Sequence, residues 1–220
     1  AFDKERKIVF QERQQRISNN PAAQFAEAVN RILWQNSPYA RPVTGTEEEI
    51  LNLTPEDIRG FYRRYYAPDN AILVLSGDIG RPSAKMLAEK YFGNIKKGNR
   101  PQISPEQEKT RLLAGSYQTL HHFEMRHPEI KTPRVIRRYL VPSLKEDSNK
   151  AYALMVFSKY LGEGDASFLN RELVLNGKAA AAGSFYDSLS RGAGVFSLSA
   201  VPADGRTPEE TETLLDNGLK

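Results

Sequence analysis

The fold class follows from two short segments near the end of the chain, Ala179-Ala-Ala-Ala-Gly-Ser-Phe-Tyr-Asp187 and Val195-Phe-Ser-Leu-Ser-Ala-Val201. Their composition is typical of strands. A helix is expected before them over residues 149–161, and Thr207-Pro208-Glu209-Glu210 after them is typical of a helix start. Strands mixed with amphipathic helices in this way predict an α+β fold.

The remainder of the chain shows the same mixture. Helices are predicted over residues 3–17, 22–34, 54–66, 82–92 and 167–175. Strands are predicted over residues 71–77, 111–125 and 135–141. The first of these strands is expected to be buried, because it contains the longest apolar run in the chain, Ala71-Ile-Leu-Val-Leu75. Gly162-Glu163-Gly164 is expected to break the helix before it.

Residues 96–109 are rich in Lys, Gly, Asn, Pro and Gln, which is typical of a linker. We therefore predict two units, at 1–95 and 111–220, joined by a linker at 96–110. Both units are expected to be incomplete, since the chain begins inside a helical pattern and ends in a helix that no strand follows. The sequence is accordingly interpreted as an internal piece of a longer protein.

Composition excludes several classes of protein. No apolar run approaches the roughly 18 residues of a membrane span, and the absence of Cys excludes disulfide scaffolds and Cys-ligated metals. The net charge of +4 is scattered in short clusters such as Arg63-Arg64 and Arg137-Arg138. Since a nucleic-acid surface is usually denser in positive charge, we predict no nucleic-acid partner. A basic binding module stays an alternative, tested by salt-dependent filter binding.

Two motifs resemble catalytic signatures only weakly. His121-x-x-Glu124 has the spacing of half a zinc motif, but Met125 is not a ligand and the segment is predicted to be a strand instead of the required helix. The Gly162 loop follows a helix, and no Lys follows it where a phosphate-binding loop needs one. We expect a polar strand or loop at the first motif and a helix-breaking hinge at the second.

The first predicted helix carries a more informative pair of carboxylates. Glu5 and Glu12 are seven positions apart, so they lie on one helix face about 10.5 Å apart along the axis, with Ile8 between them. A carboxylate beside an apolar residue needs a partner if it is buried, and a metal or an arginine would serve. From the spacing alone, two solvated glutamates stay the alternative.

This helix also resembles part of a known family. Glu5-Arg-Lys-Ile-Val-Phe-Gln-Glu12 is similar to the second metal-site helix of the inverted-motif zinc peptidases, the family of insulinase, pitrilysin and mitochondrial processing peptidase. The chain resembles the bacterial members most. Further family motifs follow in the family's order along nearly the whole chain: Ser37-Pro-Tyr39 with Gly45, Leu53-Thr-Pro-Glu-Asp-Ile58, Tyr65-Tyr-Ala-Pro-Asp-Asn70, Leu73-Val-Leu-Ser-Gly-Asp78, Tyr91-Phe-Gly93, Tyr160-Leu-Gly-Glu-Gly164 and Ser167-Phe-Leu-Asn-Arg-Glu172.

The resemblance implies a Zn²⁺ site in the full-length protein, to which this sequence contributes one ligand. It assigns Glu12 as the third zinc ligand and Glu5 as the supporting carboxylate. The family's His-x-x-Glu-His helix is expected upstream of Ala1 and is not in the sequence. Metal-activated water would hydrolyse peptide bonds in the full-length protein. The 220 residues alone are expected neither to bind zinc tightly nor to cleave peptides.

The later region resembles the family's second domain, which usually lacks metal ligands. The resemblance implies that Arg171 binds substrate, and the alternative is a salt bridge on a helix surface. The family's substrate-binding tyrosine would fall at residues 178–180, where this sequence has none. Tyr186 is the nearest tyrosine and is the second substrate-binding candidate.

The implied fold is a pair of units, each an antiparallel sheet with helices on one face, which enclose a chamber for peptides or unfolded polypeptides. The implied protein is a zinc metalloendopeptidase, periplasmic or alternatively cytoplasmic, with no membrane span. The alternative function is a non-catalytic partner subunit of the same fold that binds or presents peptide. We also expect homo-dimers or pairing with a partner subunit, because exposed strand edges favour association.

Overall fold

The computed structural model describes residues 1–35, 37–98, 103–112 and 120–218. The chain divides into two compact units. Unit 1 comprises Ala1–Arg13 and Thr44–Pro105, and unit 2 comprises Gln14–Val43 and Glu106–Lys220. The units interleave along the sequence, because residues 14–43 belong with the later part of the chain. The assignment of residues 1–95 and 111–220 to two family domains, with a linker at 96–110, stays a prediction.

The described residues form eight α-helices and three strands. Helices α1 to α8 span Phe2–Arg13, Pro21–Trp34, Glu47–Asn52, Pro55–Tyr65, Arg81–Phe92, Pro105–Leu112, Ser148–Gly162 and Pro208–Gly218. Strands β1 to β3 span Val135–Val141, Ala179–Asp187 and Gly194–Pro202. Short π-helical turns also occur at Gln14–Ser18 and Asn170–Val174. The α+β class predicted from the sequence is confirmed.

Local capping chemistry sets several helix starts, as the sequence predicted. Thr54 and Asp57 bond reciprocally at the start of α4, where the Asp57 backbone N–H donates to Thr54 Oγ1 at 3.2 Å and the Thr54 backbone N–H donates to Asp57 Oδ2 at 2.9 Å. Thr207 and Glu210 make the same pair of bonds before α8. These exchanges satisfy backbone N–H groups that have no partner inside the helix.

In unit 1, α1 packs against α3. The guanidinium of Arg6 donates to the carbonyl oxygens of Leu51 and Leu53, at 3.0 and 3.1 Å. These carbonyls lie at the C-terminal end of α3, where the helix dipole places partial negative charge. Arg6 therefore fixes the orientation of α1 within its unit.

The predicted buried strand at 71–77 is wrong. The segment does not pair into a sheet, and Ile72 and Val74 are 93% and 81% exposed. A strand needs a neighbour to satisfy its backbone groups. The described residues contain a single sheet, of β1, β3 and β2, and all of it lies in unit 2. The apolar run therefore has strand composition without a strand partner in unit 1.

The predicted strand at 111–125 is also wrong within the described residues. Residues 111–112 end helix α6, residues 113–119 lie outside the described residues, and residues 120–125 have no regular secondary structure. Leu120 is 85% exposed. The physical reason is the same, because the described part of this segment pairs with no strand.

Unit 2 contains an antiparallel sheet in the order β1-β3-β2. The strands predicted near 135–141, 179–187 and 195–201 are confirmed. The central strand β3 alternates strictly, with Phe196, Leu198 and Ala200 buried on one face and the residues between them half-buried. This period of two follows from the pleat of a strand.

Helices cover the apolar face of this sheet. α7 and the Asn170–Val174 turn pack against β2, and α8 packs against β3 and β1. Buried side chains from these elements form the core: Ala151, Leu161, Leu169, Leu173, Ala179, Tyr186, Phe196, Leu198, Ala200 and Leu215. α7 ends at Gly162, as the Gly162-Glu163-Gly164 tripeptide predicted. A Cβ at Gly162 would lie 2.6 Å from the Gly183 carbonyl carbon, so only glycine allows this close approach of α7 to β2.

Candidate functional site

The two carboxylates singled out in the sequence lie in α1 of unit 1. Their spacing places Glu5 and Glu12 on one face of the helix, about 100° around the axis from Arg6. Glu5 is exposed, Glu12 is half-buried, and Ile8 between them is 46% exposed. The solvated alternative therefore describes Glu5 well, whereas Glu12 is the carboxylate that is partly shielded from water.

The structure does not assemble a complete metal site from the described residues. Among them, no group of three or more His, Asp or Glu side chains is arranged to hold a metal ion. His121 and His122 are exposed, and Glu124 forms an ion pair with Arg126 at 2.6 Å. The weak zinc motif at His121 is thus a polar loop. Glu12 presents a carboxylate, a ligand type that zinc accepts.

Arg171 lies on the surface of unit 2, in the π-helical turn Asn170–Val174. The turn is held by its neighbours Leu169 and Leu173, which are buried in the core. No described carboxylate forms an ion pair with the Arg171 guanidinium. The salt bridge expected under the alternative interpretation is therefore not formed within the described residues, and the side chain is accessible for another partner.

Tyr186 lies in the core of unit 2 at the end of β2. It is 8% exposed, its ring packs against Phe196 with centroids 6.2 Å apart, and its hydroxyl donates to the carbonyl of Pro142. Burial raises the pKa of Tyr186, and the negative charges of Glu146 and Asp187 raise it further. The phenol therefore stays protonated and acts as a hydrogen-bond donor at neutral pH. Its proposed contact with substrate stays a prediction.

Arg137 and Arg138, which are adjacent in β1, form only a basic cluster in the sequence. Arg137 donates to Glu212 at 3.0 Å and Asp216 at 2.8 Å, both on α8. Arg138 points to the other face of the sheet and donates to Asn30 Oδ1 at 2.7 Å. The period of two in a strand is the signal that separates the two side chains, once residues 135–141 are recognised as a strand.

Comparison with known proteins identifies the family. The model of the Peptidase M16 inactive domain matches residues 52–220. The chain belongs to the peptidase M16 family. It is 31% identical over 173 residues to the zinc protease PqqE of Helicobacter pylori, covering 79% of this chain and 38% of that protein. It is 24% identical over 171 residues to the mitochondrial-processing peptidase subunit beta of Lentinula edodes, covering 76% and 34%.

Solved structures of several proteases share the fold. A protease from Helicobacter pylori has a TM-score of 0.73 and 26% identity, covering 99% of this chain and 51% of that one. The first half of the periplasmic protease PqqL from Escherichia coli has a TM-score of 0.68 and 15% identity, covering 99% and 50%. The ferredoxin protease FusC, solved with Arabidopsis ferredoxin, has a TM-score of 0.67 and 18% identity, covering 99% and 23%.

The comparisons confirm the resemblance stated from the sequence motifs. The match also names the region from residue 52 onward as an M16 inactive domain. The chain spans 38% and 34% of the two curated relatives. Within the described residues, no helix has both the length and the apolar character needed to cross a bilayer.

Proposed function

We propose that the chain is part of a zinc-dependent M16 metallopeptidase, in which Glu12 is a zinc ligand and Glu5 orients the site. The observation that carries the proposal is that α1 presents both glutamates on one face, with Glu12 half-buried, in a chain that is 31% identical to a zinc protease. Bonds from Arg6 to the end of α3 hold this helix within its unit.

The other zinc ligands and the general base would come from outside these 220 residues, since the described residues hold no complete site. Zinc bound there would lower the pKa of a water molecule and polarise the scissile carbonyl. In this proposal, the chain contributes one zinc-binding oxygen from the Glu12 carboxylate, and Glu5 orients that carboxylate. A zinc titration of the isolated 220-residue chain is expected to show no tight stoichiometric binding, and tight binding would contradict this division.

Substitution in the full-length protein tests the roles of the two glutamates. Glu12→Gln is expected to lower zinc content and peptide cleavage by at least about 100-fold, because a ligand is lost. Glu5→Gln is expected to lower zinc affinity or peptide cleavage by about 10- to 100-fold, the usual effect of removing a supporting group. Glu48→Gln, an exposed carboxylate in α3, is the matched control and should change neither. A Glu12→Gln protein that retains stoichiometric zinc would contradict the proposal.

The proposed substrates are peptides or unfolded polypeptides. The accessible guanidinium of Arg171 supports this, because it can hydrogen-bond backbone carbonyls. FusC, which shares the fold, was solved with a protein, ferredoxin. For Tyr186, a substrate contact would have to replace the bond to Pro142. Tyr186→Phe separates the two roles. Loss of the hydroxyl changes the free energy of unfolding if Tyr186 is structural, and it changes KM if Tyr186 binds substrate.

The alternative is a non-catalytic partner subunit that binds or presents peptide. The match to the Peptidase M16 inactive domain favours this alternative, because that domain is described as inactive. A full-length sequence without His-x-x-Glu-His, together with zinc-free purified protein, would select this alternative.

The proposal also covers the cellular location of the protein and its association with other subunits. We propose a periplasmic location, supported by the fold shared with periplasmic PqqL, with the cytoplasm as the alternative. Cell fractionation distinguishes the two. We also propose self-association into dimers or pairing with a partner subunit, since the exposed apolar run at residues 71–75 favours association. A strictly monomeric light-scattering profile at high concentration would contradict self-association.

A further inference from the structure

Arg137 and Arg138 are adjacent in β1 but have opposite electrostatic surroundings. Arg137 faces α8, where the carboxylates of Glu212 and Asp216 neutralise its charge. Arg138 faces the other side of the sheet, where its guanidinium donates to the neutral amide of Asn30. The Nε–H groups of both arginines are shielded from water and have no partner among the described residues, so the two differ in the carboxylates around them. Arg138 is therefore a half-buried cation that no described carboxylate neutralises.

A half-buried cation without a counter-charge is costly to the folded state. Burial lowers the pKa of Arg138, which means that the surroundings disfavour its charge, yet a guanidinium stays charged at neutral pH. Proteins usually pair such groups with an anion, because a neutral partner compensates only part of the hydration that a buried charge loses. An anion that binds Arg138 would replace part of the hydration that burial removes from the guanidinium.

The strand register shows what surrounds Arg138 on its face. Arg138 lies opposite Ser197 of β3, and Ser197 lies opposite Phe185 of β2. The three side chains therefore form a row across the sheet, of a cation, a hydroxyl and an aromatic ring. Adjacent strands are about 4.8 Å apart, so the row spans about 10 Å. Phe185 is 67% exposed, and Ser197 is half-buried.

We propose that the row Arg138, Ser197 and Phe185 binds a carboxylate of a peptide together with a neighbouring apolar side chain. The carboxylate accepts charge-assisted hydrogen bonds from the Nη groups of Arg138, one of which also donates to Asn30. Ser197 adds a hydroxyl donor, and Phe185 provides an apolar surface about 10 Å away, within reach of the next side chains of an extended peptide. The carboxylate comes from an acidic side chain or from the C-terminus. The inference rests on the proposed function, since it assumes a peptide ligand.

Peptide binding to the 220-residue chain tests the row. The probes are eight-residue peptides of Ala and one Phe, labelled with an uncharged coumarin and measured by fluorescence anisotropy. One peptide has a Glu and a C-terminal amide, a second has Gln and a free C-terminus, and a third has Gln and the amide. The chain is expected to bind the first or the second about tenfold more tightly than the third, which identifies the source of the carboxylate.

Variants on the two faces of β1 provide the matched comparison. Arg138→Gln is expected to remove the tenfold preference without changing affinity for the neutral peptide, and Arg138→Lys to retain part of it. Arg137→Gln should keep the preference while lowering the melting temperature, because Glu212 and Asp216 lose their partner. Since Arg138→Lys keeps the charge, it reports on binding even if Arg138→Gln folds poorly.

The outcomes separate this inference from the proposed function. If all three peptides bind equally, or if Arg138→Gln keeps the preference, the role of Arg138 is overturned while peptide binding by the chain stands. If no peptide binds, the peptide-binding part of the proposed function fails together with the inference.

Discussion

Two apolar segments of the molecule have opposite surroundings. β3 is the central strand of unit 2, with strands on both sides and helices over one face, and Leu198 is 1% exposed. The run at residues 71–75 in unit 1 is as apolar, yet Ile72 and Val74 are almost fully exposed. A strand is therefore stabilised by its neighbours in the sheet, whereas composition only makes a segment suitable for that position.

The comparison predicts a large contrast between two leucine truncations. Leu198→Ala should lower the free energy of unfolding of unit 2 by about 3 kcal/mol, because it leaves a cavity in a packed core. Leu73→Ala, at a side chain 52% exposed, should change stability by less than about 0.5 kcal/mol. Denaturant unfolding followed by circular dichroism measures both. An equal loss in the two variants would show that residues 71–75 are packed in solution.

Two glycine-to-alanine substitutions are expected to change the stability of the two units in opposite directions. Gly162→Ala should destabilise unit 2 by about 2 kcal/mol, since the new Cβ would overlap the backbone of β2. Gly60→Ala in α4 of unit 1 should instead stabilise by about 0.5–1 kcal/mol, because nothing lies within 4 Å and alanine favours the helix.

Thermal unfolding of the two glycine variants gives the sign directly. A rise in melting temperature for Gly162→Ala would mean that α7 and β2 are further apart than described. A fall for Gly60→Ala would mean that this position of α4 contacts another part of the chain.

The sequence predicted those parts of the fold that depend on local chemistry or on strands with nearby partners. The Thr54 and Thr207 helix starts need only residues within one turn. β2 and β3 are consecutive along the chain, and their pairing closes a short connection. The strand at 71–77 was wrong because its stability depends on a partner, and composition carries no information on whether that partner is present.

The candidate site was predicted to a smaller extent. The spacing of Glu5 and Glu12 gave their common helix face correctly, but not that Glu12 alone is partly shielded. Tyr186 was proposed as a substrate contact, whereas its packing on Phe196 and its bond to Pro142 appear only in the folded chain. The difference between Arg137 and Arg138 depends on α8 and on Asn30, which are distant in sequence.

A further prediction concerns the capping box of α4, which requires no sheet. Thr54→Ala should lower the stability of unit 1 by about 1 kcal/mol, and Thr207→Ala should lower that of unit 2 by a similar amount. Both units should respond alike, because the bonds are local in each. Unequal losses, measured by denaturant unfolding of each variant, would show that one of the two helices is held mainly by tertiary packing.

The capping box of α4 also predicts that the stability of this helix depends on pH through one group, the carboxyl of Asp57. Hydrogen bonds from the side chain and backbone of Thr54 lower the pKa of Asp57 below its ordinary value of 3.8. A carboxyl with a lowered pKa in the folded state stabilises that state above the unfolded pKa, and this contribution is lost as pH falls through the folded pKa. Helix α4 should therefore weaken as pH falls below about 3.8, and Asp57→Asn should remove this dependence. If the variant keeps the full acid transition of unit 1, other carboxylates cause it, and the cap contributes the same stability at every pH.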